Sequence, residues 1–139
     1  MTNSYSYLLV HNVKPSLQRM AIMKYLLTHK NHPTADDMYN ELSKGMPTLS
    51  KTTVYNTLKI LSENKACLTL TLDEKNVHYD GDTSLHAHLL CKGCMKIIDI
   101  PLNEVSLSVS ESSDFVVDSI EVSYYGYCSK CQKKKIREQ

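Results

Sequence analysis

Four cysteines set as two C-x2-C pairs, Cys91 with Cys94 and Cys128 with Cys131, constrain this chain more than any other feature. Two intervening residues let both thiolates of a pair turn onto one ion. Two such knuckles complete a tetrahedral shell of four sulfurs, the geometry that suits Zn(II). The competing reading is a thiol-disulfide redox pair, but redox motifs come singly at a helix start and need no second copy. The segment after residue 80 is short of hydrophobic core, so a structural zinc would supply folding energy to it directly. The fifth cysteine, Cys67, lies in an alternating stretch and reads as a small buried hydrophobe.

With 139 residues and 42% hydrophobic content, the chain makes one ordinary domain or two small ones. No apolar run approaches the roughly 18 to 20 residues of a membrane span, and MTNSYSYLLVHNVKP has neither a basic n-region nor a small-residue cleavage site. The expected location is cytoplasmic, where five cysteines point to metal or redox chemistry rather than a disulfide framework. Residues 1–80 carry nine Lys and Arg against seven Asp and Glu, and residues 81–139 carry seven against eight. So small a basic excess argues against indiscriminate polyanion binding.

The first half reads as short helices followed by a hairpin. Ser16 can cap a helix whose Leu17, Met20, Met23 and Leu27 share one face, and Thr34 with Asp37 resembles a capping box ahead of Met38 and Leu42, with Gly45 as the stop. Ser50 caps a third helix, in which Val54, Leu58 and Leu61 point inward while Lys51, Thr52, Tyr55, Asn56 and Lys59 are left for the outer side. Leu68, Leu70 and Leu72 then alternate with threonines, DEKN turns, and VHYD returns. This is the outline of a winged helix-turn-helix over residues 1–80. Its third helix can offer base-edge and phosphate donors to a major groove, and Lys14 and Arg19 can add backbone or minor-groove contacts.

GDTS at 81–84 is the linker candidate, and 85–139 forms a second, strand-rich domain. SLHAHLLC places His86 and His88 on one strand face, and MKIIDI is its partner across the CKGC turn. A tight turn between Lys92 and Gly93 sets Asp99 opposite His86, so that two imidazoles and a carboxylate form a nitrogen and oxygen site suited to Fe(II), Mn(II) or Zn(II). Pro101 opens an amphipathic helix with Leu102, Val105 and Val109, and DFVVDSIEVSYYGYC is a last strand region. The lysines at 133–135 form a basic tail. A zinc deaminase would need glutamate where His88 stands in the H-x-E pattern.

VKPSLQRMAIMKYL, HPTADDMYNEL, LSKTTVYNTLKIL, HYD, HAHLLCKGCMKIID and YGYCSKC occur in the order that marks ferric uptake regulator (Fur) family metalloregulators, which the chain resembles from end to end. The resemblance implies an α+β protein: an N-terminal winged helix and a C-terminal α/β dimerisation domain, assembled as a homodimeric, metal-activated repressor of a palindromic double-stranded DNA operator. It implies that the four knuckle cysteines hold structural Zn(II), and that His32, Asp80, His86, His88 and Asp99 hold a regulatory Fe(II) or Mn(II) bridging both domains. Tyr55 matches a base-contacting tyrosine, and Lys14 a lysine that reaches the minor groove.

Aspartate at both Asp80 and Asp99 is similar to the peroxide-sensing (PerR) branch, since iron-uptake regulators tend to use glutamate. That branch implies that Fe(II) reacts with hydrogen peroxide, that a coordinating imidazole of His32 or His86 is oxidised, and that DNA is released. Such a stoichiometric reaction does not make the protein an enzyme. The alternative within the family is an iron- or manganese-level sensor without peroxide chemistry.

Overall fold

The computed structural model describes residues 3–103, 107, 109–110 and 113–138, with side chains through 134. The chain divides into two compact units, 1–83 and 84–139.

The first unit runs α1 (Ser4–Val10), α2 (Leu17–Thr28), α3 (Ala35–Leu42), α4 (Lys51–Glu63), β1 (Leu68–Leu70) and β2 (His78–Asp80). The caps follow the side-chain chemistry of Ser and Thr. Ser16 Oγ accepts from the Arg19 N–H at 3.1 Å, and Ser50 Oγ accepts from the Thr53 N–H at 3.1 Å. Thr34 and Asp37 form a reciprocal capping box. Ile22, Met23, Leu26, Met38, Val54, Leu58 and Leu61 are buried together as the core. Leu17, expected on the apolar face of α2, is instead exposed at the first helical position, and the buried stripe is carried by Ile22, Met23 and Leu26.

Helix α3 ends at Leu42 with Ser43 as its cap. Gly45 is not the left-handed stop expected of it, since the described glycines have no positive φ, and it closes a turn with its N–H on the Leu42 carbonyl at 3.2 Å. Helix α1 lacks the long apolar period of the others, and only Leu8 of it is buried. It is fastened by the Tyr7 hydroxyl, which donates to the Ala66 carbonyl at 2.9 Å. Strands β1 and β2 pair antiparallel with Leu68 opposite Asp80 and Leu70 opposite His78. The intervening loop is longer than a four-residue turn and is braced by Asp73 Oδ1 accepting from the Lys75 N–H at 3.0 Å.

The second unit holds β3 (Ala87–Cys91), β4 (Ile97–Ile100), β5 (Ser123–Gly126) and α5 (Ser129–Glu138). The sheet order is β4-β3-β5, with β4 antiparallel and β5 parallel to the central strand. Among the described residues, Ala87, Leu90, Cys91 and Ile97 are its buried apolar side chains.

Register corrects one expectation. His88, rather than His86, stands opposite Asp99, and Leu90 stands opposite Ile97. The connection is wider than a two-residue turn because it must bring Cys94 back over Cys91: the Met95 N–H reaches the Cys91 carbonyl at 2.8 Å, and Met95 adopts φ 64°. A shift of two residues preserves the strand face, so both histidines stay on the same side as Asp99.

The expected last strand region contracts to β5, with Val116 to Glu121 outside any strand. In the expected helix from Pro101, Val105 lies outside the described residues, while Pro101, Leu102 and Val109 are not helical. The lysines at 133–135 lie within α5, a helix whose few apolar positions gave no period to read.

Candidate metal centres and nucleic-acid face

The parallel pairing of β3 with β5 sets Cys91 beside Gly126, so the chain leaving β5 delivers Cys128 to the first knuckle, and the first turn of α5 delivers Cys131. One sulfur from each of the four cysteines lies within 4.8 Å of the others. Cys94 Sγ and Cys128 Sγ are 3.8 Å apart. A tetrahedron with zinc–sulfur bonds near 2.3 Å has edges of about 3.8 Å, so the donor set fits Zn(II).

Gly93 makes the closure possible. A Cβ there would stand 2.7 Å from Cys131 Sγ. The thiols also share charge unequally. Burial opposes ionisation of Cys91, but the N–H groups of Cys128, Cys94 and Gly93 outweigh it and bring the thiol down to about 6. Cys128 is lowered chiefly by the Cys131 N–H, while hydrogen bonds to the sulfurs of Cys128 and Cys91 push Cys131 up to about 12. The N–H groups thus favour the thiolate at Cys91 and Cys128, while those two sulfurs favour the thiol at Cys131.

The second donor set comes in two parts, one in each unit. In the first unit, Asp80 ends β2 and His32 precedes α3, with His32 Nε2 3.4 Å from Asp80 Oδ2 and both residues buried. His32 has φ 55°, a left-handed conformation that costs about 1–3 kcal/mol outside glycine and persists where surrounding contacts impose it.

In the second unit, Asp99 Oδ1 lies 3.2 Å from His86 Nε2 and 3.3 Å from His88 Nε2. His86 Nδ1 faces the Ser84 carbonyl at 2.7 Å. A proton on Nδ1 donated to that carbonyl leaves the Nε2 lone pair directed at a carboxylate oxygen, an arrangement that a cation between them relieves. Ligand bonds near 2.1 Å separate neighbouring donors by about 3 Å, so the spacing suits a transition ion, and imidazole with carboxylate suits Fe(II), Mn(II) or Zn(II).

Two residues not singled out as ligands in the sequence adjoin the first part, His78 of the HYD motif and Asp73 of the preceding turn. His78 Nδ1 donates to the His32 carbonyl at 2.8 Å, and His78 Nε2 lies 3.1 Å from Asp73 Oδ2. The Asp73 carboxyl is held below the ordinary range by the His78 hydrogen bond and then by the Lys75 N–H. No spacing rule links Asp73 to His32; only the folded hairpin joins them.

On α4, Lys51, Thr52, Tyr55, Asn56 and Lys59 are all exposed, while Val54, Thr57, Leu58 and Leu61 are buried. Tyr55 donates to Asp36 Oδ1 at 3.4 Å, and Lys51 Nζ lies 3.9 Å from the same oxygen. Beside this face, a cleft of about 400 Å³ is lined by Lys14, Ser16, Gln18 and Arg19 on one side and Thr53 and Asn56 on the other. Arg19 Nη1 donates to the Lys14 carbonyl at 2.9 Å, which keeps the two cations together. Positive charge and amide donors therefore flank an exposed helix, the composition of a nucleic-acid face.

The model of the ferric uptake regulator family matches residues 11–125. The chain is 35% identical over 125 residues to the peroxide-responsive repressor PerR of Staphylococcus aureus, covering 88% of this chain and 84% of the relative. Among solved structures, PerR from Streptococcus pyogenes aligns with 29% identity and a TM-score of 0.52, covering 94% of this chain and 91% of that one. The ferric uptake regulator from Pseudomonas aeruginosa, determined with manganese, aligns with a TM-score of 0.75 at 19% identity over 93% of this chain and 99% of that one, a likeness of fold. Among the described residues no helix is long and apolar enough to cross a membrane. With a matched segment that takes in both the exposed α4 face and the His/Asp donors, the chain belongs to the ferric uptake regulator family.

Proposed function

We propose that the protein is a homodimeric, metal-dependent transcriptional repressor of the PerR type, which binds a palindromic operator when its regulatory site is filled and releases it when hydrogen peroxide oxidises that site. Residues 1–80 form the DNA-binding domain, 81–84 the hinge and 85–139 the dimerisation domain, acting in the cytoplasm. The observation that carries the reading is a donor set whose two carboxylates are both aspartate: His32 with Asp80, and His86 and His88 converging on Asp99. The similarity to a peroxide-responsive repressor over most of the chain supports the same branch.

Each residue has a task. Cys91, Cys94, Cys128 and Cys131 hold structural Zn(II). His32 and Asp80 from the first unit and His86, His88 and Asp99 from the second share one regulatory ion. The free energy of sharing it favours the interdomain arrangement that spaces two recognition helices for the operator. When bound, Fe(II) supplies the reducing equivalents for hydrogen peroxide. By the family resemblance, the imidazole of His32 or His86 takes up one peroxide oxygen while the other leaves as water, and an oxidised imidazole holds its ion less tightly.

Tyr55, Asn56 and Thr52 read bases, while Lys14, Arg19, Lys51 and Lys59 engage phosphates or the minor groove. The reaction consumes the sensor, so the protein is a regulator and not an enzyme. The test is Fe(II) loading followed by low peroxide. The expected result is loss of operator binding with a one-oxygen mass gain on a peptide carrying His32 or His86. DNA release on metal removal alone, with peroxide inert, would assign the protein to iron- or manganese-level sensing.

A further inference from the structure

Loop and hairpin meet at one point in the first unit. The Tyr79 N–H donates to the Pro33 carbonyl at 2.9 Å, and Thr34 bridges His78 in antiparallel sense, so β2 continues its pairing onto the segment that follows His32. His32 itself sits at φ 55° immediately before a proline, where helical conformations are already disfavoured. Its peptide carbonyl is captured by the His78 ring at 2.8 Å, and the other ring nitrogen faces Asp73, whose side chain is anchored in the β1–β2 loop. The ring and the carboxylate are largely buried, at 15% and 5% side-chain exposure, so water competes weakly for either contact.

We propose that Asp73 and His78 are a positioning pair that fixes the left-handed turn at His32 and thereby makes the wing hairpin and the His32 ligand one mechanical body. The pair touches no ion. His78 acts on the ligand's main chain, setting where the His32 imidazole stands relative to Asp80, and Asp73 orients His78. Any adjustment of His32 on metal binding is carried through the His78 ring into the wing, which gives the wing a direct route for sensing occupancy. The inference rests on the reading of His32 as a regulatory ligand.

The test uses the full-length, zinc-loaded protein and measures Mn(II) affinity from the EPR signal of free Mn(II), alongside zinc content and thermal melting. His78→Phe keeps the backbone bridge to Thr34 but loses both ring contacts, and should weaken Mn(II) binding by about 10- to 100-fold with zinc retained. His78→Asn places an amide N–H near the position of Nδ1 and should recover most of that loss. Asp73→Ala should fall between wild type and His78→Phe, and gives the readout if His78→Phe does not fold. Wild-type affinity in His78→Phe or Asp73→Ala, or equal loss in His78→Phe and His78→Asn, overturns the proposal. His32→Ala separates the underlying reading: unchanged Mn(II) affinity there removes His32 as a ligand and the pair's role with it. Loss in His32→Ala without loss in His78→Phe removes only the pair.

Discussion

Asp99 stands directly opposite His88 across the β3–β4 ladder, and its Oδ1 lies 3.3 Å from His88 Nε2. The same oxygen lies 3.2 Å from His86 Nε2, so one carboxylate oxygen organises both imidazoles of the second unit. Replacing Asp99 with Asn removes the negative charge while keeping the shape. It should lower Mn(II) affinity by at least about 10-fold and reduce Mn(II)-dependent operator binding in parallel, with zinc content unchanged. Mn(II) titration and fluorescence anisotropy with operator DNA check both halves of that expectation.

Gly93→Ala should be as damaging as loss of a ligand. Its Cβ would stand 2.7 Å from Cys131 Sγ, and the Cys131 Cβ, at 2.8 Å, bars a side-chain escape. Zinc stoichiometry should fall below one per chain, with lost secondary structure in the second unit or a shift to monomer in sedimentation, as for Cys91→Ser.

Cys67 should be inert and should set an alkaline limit on the first unit. Burial, followed by the charge of Asp80, pushes its thiol up to about 12. A thiol raised on folding retains its proton after the unfolded chain has lost it. Its contribution is therefore intact below the ordinary thiol value and is lost as pH rises through that value toward 12. Native zinc-loaded protein should show no thiol reactive with Ellman's reagent at neutral pH, against five after denaturation with chelator. In urea melts above pH 9, Cys67→Ala should show a shallower loss of stability than wild type, with the tyrosines raised by burial accounting for what slope remains.

The exposed face of α4 separates cations from readers. Lys59→Ala should weaken binding to all DNA sequences and lower the salt dependence by about one ion per protomer. Tyr55→Phe also frees Asp36 from its hydrogen bond. It should weaken the operator more than unrelated DNA, by about 1–3 kcal/mol if the hydroxyl reads a base. Binding isotherms across a salt series distinguish the two.

Elements whose chemistry is local were legible in the sequence. The caps at Ser16, Thr34 and Ser50, the buried Val54, Leu58 and Leu61, and the cysteine knuckles all stand where spacing put them. Helices α1 and α5 were not legible, because one buries a single residue and the other is almost wholly polar, so neither carries an apolar period. The β3–β4 register was misplaced by two because a knuckle loop must wrap an ion-sized space, which a tight turn cannot do. Only the even size of that shift kept His86, His88 and Asp99 together. The role of Asp73 and His78 lay beyond reach for a different reason: His78 faces a carbonyl 46 residues away and Asp73 acts only through His78, and no side-chain pattern encodes a main-chain acceptor.

In the proposed regulator, His32, Asp80, His86, His88 and Asp99 hold one ion whose oxidation releases DNA. The most direct measurement is operator affinity of the zinc-loaded protein with Fe(II), with Mn(II) and without added metal, each before and after low peroxide, paired with mass spectrometry of the His32 and His86 peptides. Tight binding is expected with either ion, weak binding without one, and loss on peroxide treatment only in the Fe(II) sample, accompanied by a one-oxygen gain on a histidine peptide. Unchanged operator affinity in the peroxide-treated Fe(II) sample, with both peptides unmodified, would rule out peroxide sensing at this ion.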